Sequence, residues 1–167
     1  MLSSLFDAPR RMLALVAVAC VSSLAFGLYL QHVVGLEPCP MCIVQRYVLV
    51  LVALVAAFSA LTSNRRSLLA GFSLLLILSS FGAFVAARQS FLQWYPPEVV
   101  SCGRDFYGMI ETFPLKRVIP MIFKGSGDCT KIDWTFLGLS IANWSFISFA
   151  VIGGVALVLA VRQAGRR

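Results

Sequence analysis

Four long stretches of the chain contain no aspartate, glutamate, lysine or arginine, and the charged residues lie between and beyond them. Each stretch can supply the roughly 20 apolar residues that an α-helix needs to cross the hydrocarbon core of a bilayer. Alternation of apolar and polar residues with a period of two is absent, so helices are expected rather than the strands of a barrel. The stretches cover residues 12–36, 47–64, 67–87 and 134–161.

This pattern predicts an all-α membrane protein, a bundle of four transmembrane helices forming one domain over residues 1–167. The helices are predicted at about 12–30, 42–62, 68–88 and 143–161, with outer loops at about 31–41 and 89–142. Pro114 and Pro120 divide the apolar middle of the longer loop. We therefore expect short helices on the membrane surface there, the alternative being an ordinary, partly folded loop.

The composition agrees with a membrane environment. Of 167 residues, 59% are hydrophobic and 13% are charged, which is too apolar for a soluble domain of this size. The net charge of +7 comes from scattered residues and not from a basic stripe interleaved with aromatics, so nucleic acid is not expected as a partner. The first apolar stretch is longer than the roughly 7 to 15 residues of a signal-peptide core, which favours a retained helix.

The distribution of basic residues predicts the orientation. A bundle of four helices brings both termini and the short loop between helices 2 and 3 to the same side. On the opposite side, lysine and arginine are diluted by acidic residues, so the positive-inside rule places both termini in the cytoplasm. The arginines of the cytoplasmic side are Arg10, Arg11, Arg65, Arg66, Arg162, Arg166 and Arg167.

The five cysteines divide into two groups. Cys20 lies in the middle of the first apolar stretch and is expected to act as a small hydrophobic residue. Cys39, Cys42, Cys102 and Cys129 all fall in the two outer segments. If the orientation is as predicted, these four thiols face an oxidising compartment, where disulfides form and persist.

Cys39 and Cys42 form a Cys-x-x-Cys motif at the start of the second helix. Pro40 suits the first turn of a helix, because its missing N–H has no intrahelical partner there. Cys42 then lies in that first turn, where unsatisfied N–H groups and the helix dipole favour its reactive thiolate form. Arg46 follows on the same face one turn later and would favour the thiolate further. The alternative is that Arg46 extends to the lipid headgroups.

The second pair, Cys102 and Cys129, encloses 26 residues of the longer loop. As a structural disulfide, it could stabilise the fold by roughly 3 to 4 kcal/mol in the chain-entropy model. The presence of an activated pair on the same side adds another possibility. Because a thiolate attacks a disulfide through a mixed disulfide, electrons could pass from one pair to the other.

Other cysteine chemistries fit the spacing poorly. A zinc site of four cysteines usually has two Cys-x-x-Cys motifs, and a c-type haem site needs a histidine where Ile43 stands. A thioredoxin domain requires a βαβ pattern that is missing. His32 is the single histidine and cannot form a multi-histidine site, so no metal is predicted and an interfacial position is expected for it.

A redox-active dithiol needs an electron acceptor, and no glycine-rich nucleotide fingerprint is present. Cys42 and Arg46 would face the lipid boundary, where a quinone dissolved in the membrane can arrive. The guanidinium of Arg46 could donate to a quinone carbonyl and stabilise the negative charge that develops there. Quinone is therefore the predicted cofactor, bound by Cys42 and Arg46.

Three segments together resemble the DsbB family of bacterial disulfide bond formation proteins. They are residues 39–47, residues 93–97 leading to Cys102, and residues 126–129 followed by 133–139. The likeness covers all four predicted helices and both outer loops. It implies a four-helix bundle of the bacterial inner membrane that reoxidises the periplasmic thiol oxidase DsbA. It also implies that two electrons pass to ubiquinone or menaquinone in the membrane.

The resemblance also implies a role for each outer cysteine. Cys102 would form the mixed disulfide with DsbA, and Cys129 would be its partner and exchange with Cys39. Cys42 would then engage the quinone beside Arg46.

The chain departs from some family members at two positions. Those members have glutamate immediately before the arginine and histidine near the outer end of helix 3. This chain has Gln45 at the first position, and Arg88 and Gln89 in the second region. A proton-handling role for acidic or imidazole groups is therefore not expected at these positions.

Two other functions are compatible with parts of the pattern. A vitamin K epoxide reductase-like oxidoreductase also has four helices, a Cys-x-x-Cys at a helix start and a second outer cysteine pair. A non-enzymatic membrane scaffold would keep its four outer thiols in structural disulfides. The position of the motif at helix 2, followed by Arg46, favours the DsbB-like arrangement.

Overall fold

The computed structural model describes residues 8–36, 38–96, 132 and 134–165. Within these residues, four helices are long and apolar enough to cross a membrane, which confirms the predicted four-helix membrane fold. The surface helices expected between residues 105 and 123 fall outside the described part of the chain. The helices are α1 (Pro9–His32), α2 (Pro40–Leu61), α3 (Arg65–Trp94) and α4 (Ile141–Gly165).

The starts of three helices follow from local sequence. Pro9 and Pro40 occupy the first turns of α1 and α2. The fixed φ of proline suits a helix there, and its missing N–H removes no intrahelical hydrogen bond. At α3, the Asn64 side chain accepts a hydrogen bond from the Arg66 N–H at 3.2 Å. This is the usual N-cap contact of an asparagine.

Two features of the described chain differ from the sequence prediction. Helix α3 continues to Trp94, past the boundary near 88, because Arg88 ends the charge-free stretch but does not end a helix. Pro96 follows shortly afterwards and cannot continue the helix. Before α4, a small hairpin pairs β1 (Thr135–Phe136) with β2 (Leu139–Ser140). These residues belong to the predicted outer loop, in which no strand was predicted.

The turn of the hairpin consists of two residues with left-handed backbone conformation. Leu137 has a φ of 52° and Gly138 a φ of 77°, the signs that a tight two-residue hairpin turn requires. Glycine adopts this conformation without steric cost, whereas leucine rarely does. The hairpin places Ser140, whose hydroxyl contacts the Gln93 side chain oxygen at 2.6 Å, against the end of α3.

Consecutive helices pack against one another in antiparallel fashion. Arg10 at the start of α1 donates to the Thr62 carbonyl after α2 at 3.1 Å, and Arg65 at the start of α3 donates to the Ala164 carbonyl of α4 at 2.9 Å. In both cases a cation lies at the negative end of a neighbouring helix dipole. These contacts gather four helix ends at one end of the bundle, and Cys39 lies at the other.

The burial pattern is that of a bundle with an apolar exterior. Phe72 and Phe149 are fully buried between the helices. Large apolar side chains such as Phe58 and Ile77, exposed by 68% and 65%, lie on the outer surface. This exterior suits lipid as the surrounding solvent.

Gly82 allows α3 and α4 to approach closely. A Cβ atom at this position would lie 2.6 Å from Cε1 of the Phe149 ring, which is too close for any real contact. Gly82→Ala is therefore expected to destabilise the bundle by about 1 to 3 kcal/mol, as overpacking of a core typically does. The measurement is the thermal unfolding midpoint in detergent micelles. Gly154→Ala is the matched control, because nothing lies within 4 Å of its added Cβ; equal midpoints for the two variants would contradict the prediction.

Candidate functional site

The Cys-x-x-Cys motif caps α2. Cys39 is the N-cap residue in extended conformation, and its sulfur accepts a hydrogen bond from the Cys42 N–H at 3.2 Å. The two Sγ atoms lie 2.6 Å apart. Since a disulfide bond measures about 2.05 Å between sulfurs, little movement separates this arrangement from a bonded pair. The geometry is thus suited to reversible disulfide formation.

The start of α2 polarises Cys39 more directly than Cys42. From the sequence, Cys42 was predicted to lie in the first turn, where the N-terminal N–H groups would favour its thiolate. In the structure, the Cys42 N–H points to the sulfur of Cys39, which is buried, whereas Cys42 is half-buried. An N-cap acceptor is stabilised by the N–H groups of the first turn. The backbone therefore supports negative charge on Cys39, and Cys42 has the greater exposure.

Two buried glutamines from neighbouring helices are linked to each other, and one of them contacts both sulfurs. The Gln89 amide nitrogen on α3 lies 3.3 Å from Cys39 Sγ and 3.2 Å from Cys42 Sγ. Its carbonyl oxygen accepts a hydrogen bond from the Gln45 amide of α2 at 2.7 Å. Sequence reasoning identified Gln45 and Gln89 only as departures from a family pattern. The signal that could have found them is the presence of a polar side chain inside an apolar helix, which marks a candidate functional position.

Arg46 reaches across the bundle to α1. Its guanidinium donates to the Gln31 side-chain oxygen through Nη1 and to the Gly27 carbonyl through Nη2, the latter at 3.0 Å. Arg46 packs along Gly27, and its Nε and Nη2 atoms would each lie at van der Waals distance, 3.5 Å, from a Cβ added there. The guanidinium carries five N–H donors, and these two contacts fix its plane. Sequence reasoning had missed both Gln31 and Gly27.

A cavity of about 760 Å³ lies beside these groups. Residues of all four helices line it, with Cys39, Cys42 and Arg46 on the wall formed by the start of α2. Among the described lining residues, Arg46 is the only charged one. The volume falls within the range of roughly 300 to 1,000 Å³ that is typical of small-molecule sites. The cavity thus brings together three of the predicted site residues.

Aromatic side chains form one wall of this cavity. The rings of Trp134 and Phe136 stack with centroids 6.0 Å apart. Phe26 of α1 meets Trp134 edge-on at 5.7 Å, and Trp144 of α4 lies 6.0 Å from Phe136. A largely apolar cavity with aromatic walls and one fixed guanidinium fits a planar molecule that has a hydrogen-bond acceptor on its ring.

The remaining predicted residues lie elsewhere. Cys102 and Cys129 fall outside the described residues, so their pairing and roles stay predictions. Cys20 is 1% exposed within the helix core, as expected for a small hydrophobic residue. His32 is exposed at the end of α1. In the described ranges, no cluster of three or more metal-ligating side chains occurs.

Comparison with known proteins gives concordant matches over nearly the whole chain. The family model described as "Disulfide bond formation protein DsbB" matches residues 9–159. Three relatives are each named "Disulfide bond formation protein B". That of Polaromonas naphthalenivorans (strain CJ2) is 75% identical over the full length of both chains. That of Polaromonas sp. (strain JS666 / ATCC BAA-500) is 77% identical over 97% of both. That of Aromatoleum aromaticum (strain DSM 19018 / LMG 30748 / EbN1) is 48% identical over 99% of both.

Proposed function

This chain belongs to the DsbB family of disulfide bond formation proteins, and on that premise we propose that it oxidises the periplasmic dithiol oxidase DsbA and passes two electrons to membrane quinone. Family membership makes it a multi-pass membrane oxidoreductase. The thiol partner, the electron acceptor and the residue roles are the proposed part.

One observation carries the proposal. A closely spaced sulfur pair, Cys39 and Cys42, lies on the wall of a cavity that is lined by all four apolar helices and by Arg46. A structural disulfide has no need of a cavity beside it. A redox pair that must pass electrons to a small, lipid-soluble acceptor does need one, because the acceptor has to reach a sulfur atom.

On the thiol side, Cys102 and Cys129 begin as a disulfide. A thiolate of reduced DsbA attacks Cys102, and resolution of that mixed disulfide leaves DsbA oxidised and both loop cysteines reduced. A thiolate of the loop pair, Cys129, then attacks Cys39 of the Cys39–Cys42 disulfide. Cys42 leaves as a thiolate, and closure of the Cys102–Cys129 bond releases Cys39. The net transfer is two electrons and two protons from DsbA to the helix α2 pair.

On the membrane side, Cys42 and Arg46 would hold the quinone, which when bound supplies a two-electron, two-proton acceptor. Ubiquinone and menaquinone both have ring carbonyls, and Arg46 donates hydrogen bonds toward such an acceptor from a fixed position. Cys42, half-buried on the cavity wall, presents its sulfur to the same space. The stacked rings of Trp134 and Phe136 offer a flat apolar surface against which a planar ring would pack.

The proposed location is the bacterial inner membrane, with both termini in the cytoplasm and the Cys39 end of the bundle in the periplasm. The positive-inside rule supports this orientation. Arg10 and Arg65 lie at the end of the bundle opposite Cys39. In this orientation the sulfur pair and the loop cysteines that react with DsbA lie on the side where disulfides are made.

The proposal predicts a partner-dependent loss of quinone. Membranes containing the protein are mixed with reduced DsbA and with ubiquinone or menaquinone, and quinone absorbance is followed with time. Absorbance is expected to fall continuously only when DsbA and the protein are both present. If DsbA becomes oxidised at the same rate without quinone and without oxygen, the proposed acceptor is wrong. If quinone is consumed equally without DsbA, the proposed thiol partner is wrong.

A further inference from the structure

We propose that Gln89 is a catalytic residue of the Cys39–Cys42 pair, a neutral double donor that stabilises a thiolate on either sulfur, and that Gln45 is the residue that positions it. This inference deepens the proposed function, since it concerns the same sulfur pair. It rests on contacts within the bundle, however, and its test requires neither DsbA nor quinone.

The contacts of Gln89 are unusually symmetrical. Its amide nitrogen lies 3.3 Å from Cys39 Sγ and 3.2 Å from Cys42 Sγ, so one group serves both sulfurs. A carboxamide nitrogen carries two N–H donors, one for each acceptor. Gln89 is 4% exposed, and water has little access to replace these hydrogen bonds. The side chain is therefore held against the atoms that react.

Gln45 determines which end of the Gln89 amide meets the sulfurs. Its own amide donates to the Gln89 carbonyl oxygen at 2.7 Å, and it is 5% exposed. With that oxygen engaged, Gln89 must turn its nitrogen toward Cys39 and Cys42. With Gln45 in this orientation, a reversed Gln89 amide would place two nitrogens against each other and an oxygen lone pair against a thiolate, both unfavourable in a buried site. Gln45 thus acts on the sulfurs through Gln89.

The cysteine pair requires a group that stabilises negative charge on sulfur. Reduction of the disulfide puts negative charge first on one sulfur and then on the other, in a largely apolar part of the bundle. A hydrogen bond to the charged form favours that form, and hydrogen bonds to charged groups are stronger than neutral ones. The guanidinium of Arg46 is directed by its described contacts to Gln31 and Gly27 on α1. Gln89 is the side chain whose described hydrogen bonds reach both sulfurs.

A carboxamide also differs from the acidic or imidazole group that could occupy such a site. It has no proton to gain or lose in the functional range, so it stabilises charge without accepting the thiol proton. Gln89 therefore contributes hydrogen bonds and leaves proton transfer to other groups. This interpretation gives a positive role to two residues that appeared in the sequence only as departures from a family pattern.

The test measures thiolate reactivity in the reduced full-length protein. Cys102 and Cys129 are replaced by serine and Cys20 by alanine so that the signal comes from the helix α2 pair, and the alkylation rate with iodoacetamide is followed at neutral pH. Gln89→Met keeps the length of the side chain but removes both donors. Its alkylation rate is expected to fall about 10-fold, the effect of losing a hydrogen bond to a charged acceptor. Unfolding midpoints of all variants are recorded in parallel.

Ser90→Ala is the matched control on α3. Ser90 is 7% exposed and its hydroxyl has no hydrogen-bond partner within the described residues, so its removal tests the effect of any small change at this depth. The alkylation rate of Ser90→Ala is expected to equal that of the parent protein. Equal rates for Gln89→Met and Ser90→Ala in folded protein would overturn the proposal.

Gln45→Glu separates positioning from packing. A carboxylate at this position accepts only, so Gln89 must turn its nitrogen toward residue 45 and its oxygen toward the sulfurs. The alkylation rate is then expected to fall as far as in Gln89→Met, although Gln89 itself is unchanged. Gln45→Met, which frees the amide without reversing it, should lie in between. An unaltered rate in Gln45→Glu would overturn the proposal even if Gln89→Met failed to fold.

Discussion

Replacing Cys42 with serine is expected to abolish quinone reduction while leaving the Cys102–Cys129 pair able to form its disulfide. Once the Cys42 sulfur is removed, Cys39 has no partner 2.6 Å away with which to close an intramolecular disulfide. Cys39 then has no disulfide to offer to the loop pair, so electrons from DsbA stop at the reduced loop cysteines. Loss of a residue that takes part covalently in a redox cycle typically costs at least about 1,000-fold in turnover.

The measurement is steady-state quinone reduction with reduced DsbA, combined with mass analysis of the trapped disulfides. Cys20→Ala serves as the control, because Cys20 is buried in the helix core and does not line the cavity. Its turnover should match that of the parent protein. Normal steady-state turnover by Cys42→Ser would remove the pair from the electron path and leave the scheme untenable.

Replacing Arg46 with methionine is expected to raise the quinone concentration needed for half-maximal turnover by about 10- to 100-fold, the range for losing a hydrogen bond to a charged donor. The apolar stem is retained, so packing beside Gly27 changes little. The effect should fall mainly on KM, because Arg46 contributes to binding. Oxidation of the loop cysteines by added disulfide should continue at its normal rate. The measurement is quinone reduction as a function of quinone concentration.

Two arginine-to-lysine variants test the contribution of positive charge alone. Arg46→Lys keeps the cation but cannot reach the Gln31 oxygen and the Gly27 carbonyl together in one plane, so an intermediate increase in KM is expected. Arg65→Lys makes the same exchange at the far end of the bundle, where the guanidinium contacts the Ala164 carbonyl. It should leave quinone use unaltered. If Arg46→Met also left the quinone dependence unaltered, the guanidinium would serve only to place charge near the interface.

The two sulfurs of the α2 pair line the same cavity but differ in exposure. Cys39 is buried and carries the backbone hydrogen bond of the N-cap, whereas Cys42 is the more exposed sulfur on the cavity wall. This asymmetry is consistent with the division of labour that the family resemblance implies. In the proposed scheme, Cys39 would exchange with the loop cysteines and Cys42 would meet the membrane acceptor. The shared donor Gln89 then serves both steps from one position.

Much of the fold was predictable because its causes are local. A charge-free run of sufficient length has to span the bilayer as a helix, and the four runs correspond to the four helices. The start of α2 at Pro40 followed from proline's fit to a first helical turn. The extension of α3 to Trp94 was not predicted, because Arg88 ends an apolar run without breaking a helix. The loop cysteines Cys102 and Cys129 remain predictions.

By itself, then, the sequence determined the membrane environment, the number of spans and the position of a Cys-x-x-Cys at a helix start. Only the tertiary structure decided which side chains surround that motif. Gln89 of α3 contacts the sulfurs, and Arg46 of α2 contacts α1. Both contacts depend on the rotation of each helix about its axis and on its position along the bundle. Helices in lipid are apolar on nearly every face, so their sequences do not record which face points inward. That choice is made by packing between helices, as where Gly82 admits the Phe149 ring, and it is visible only once the helices are assembled.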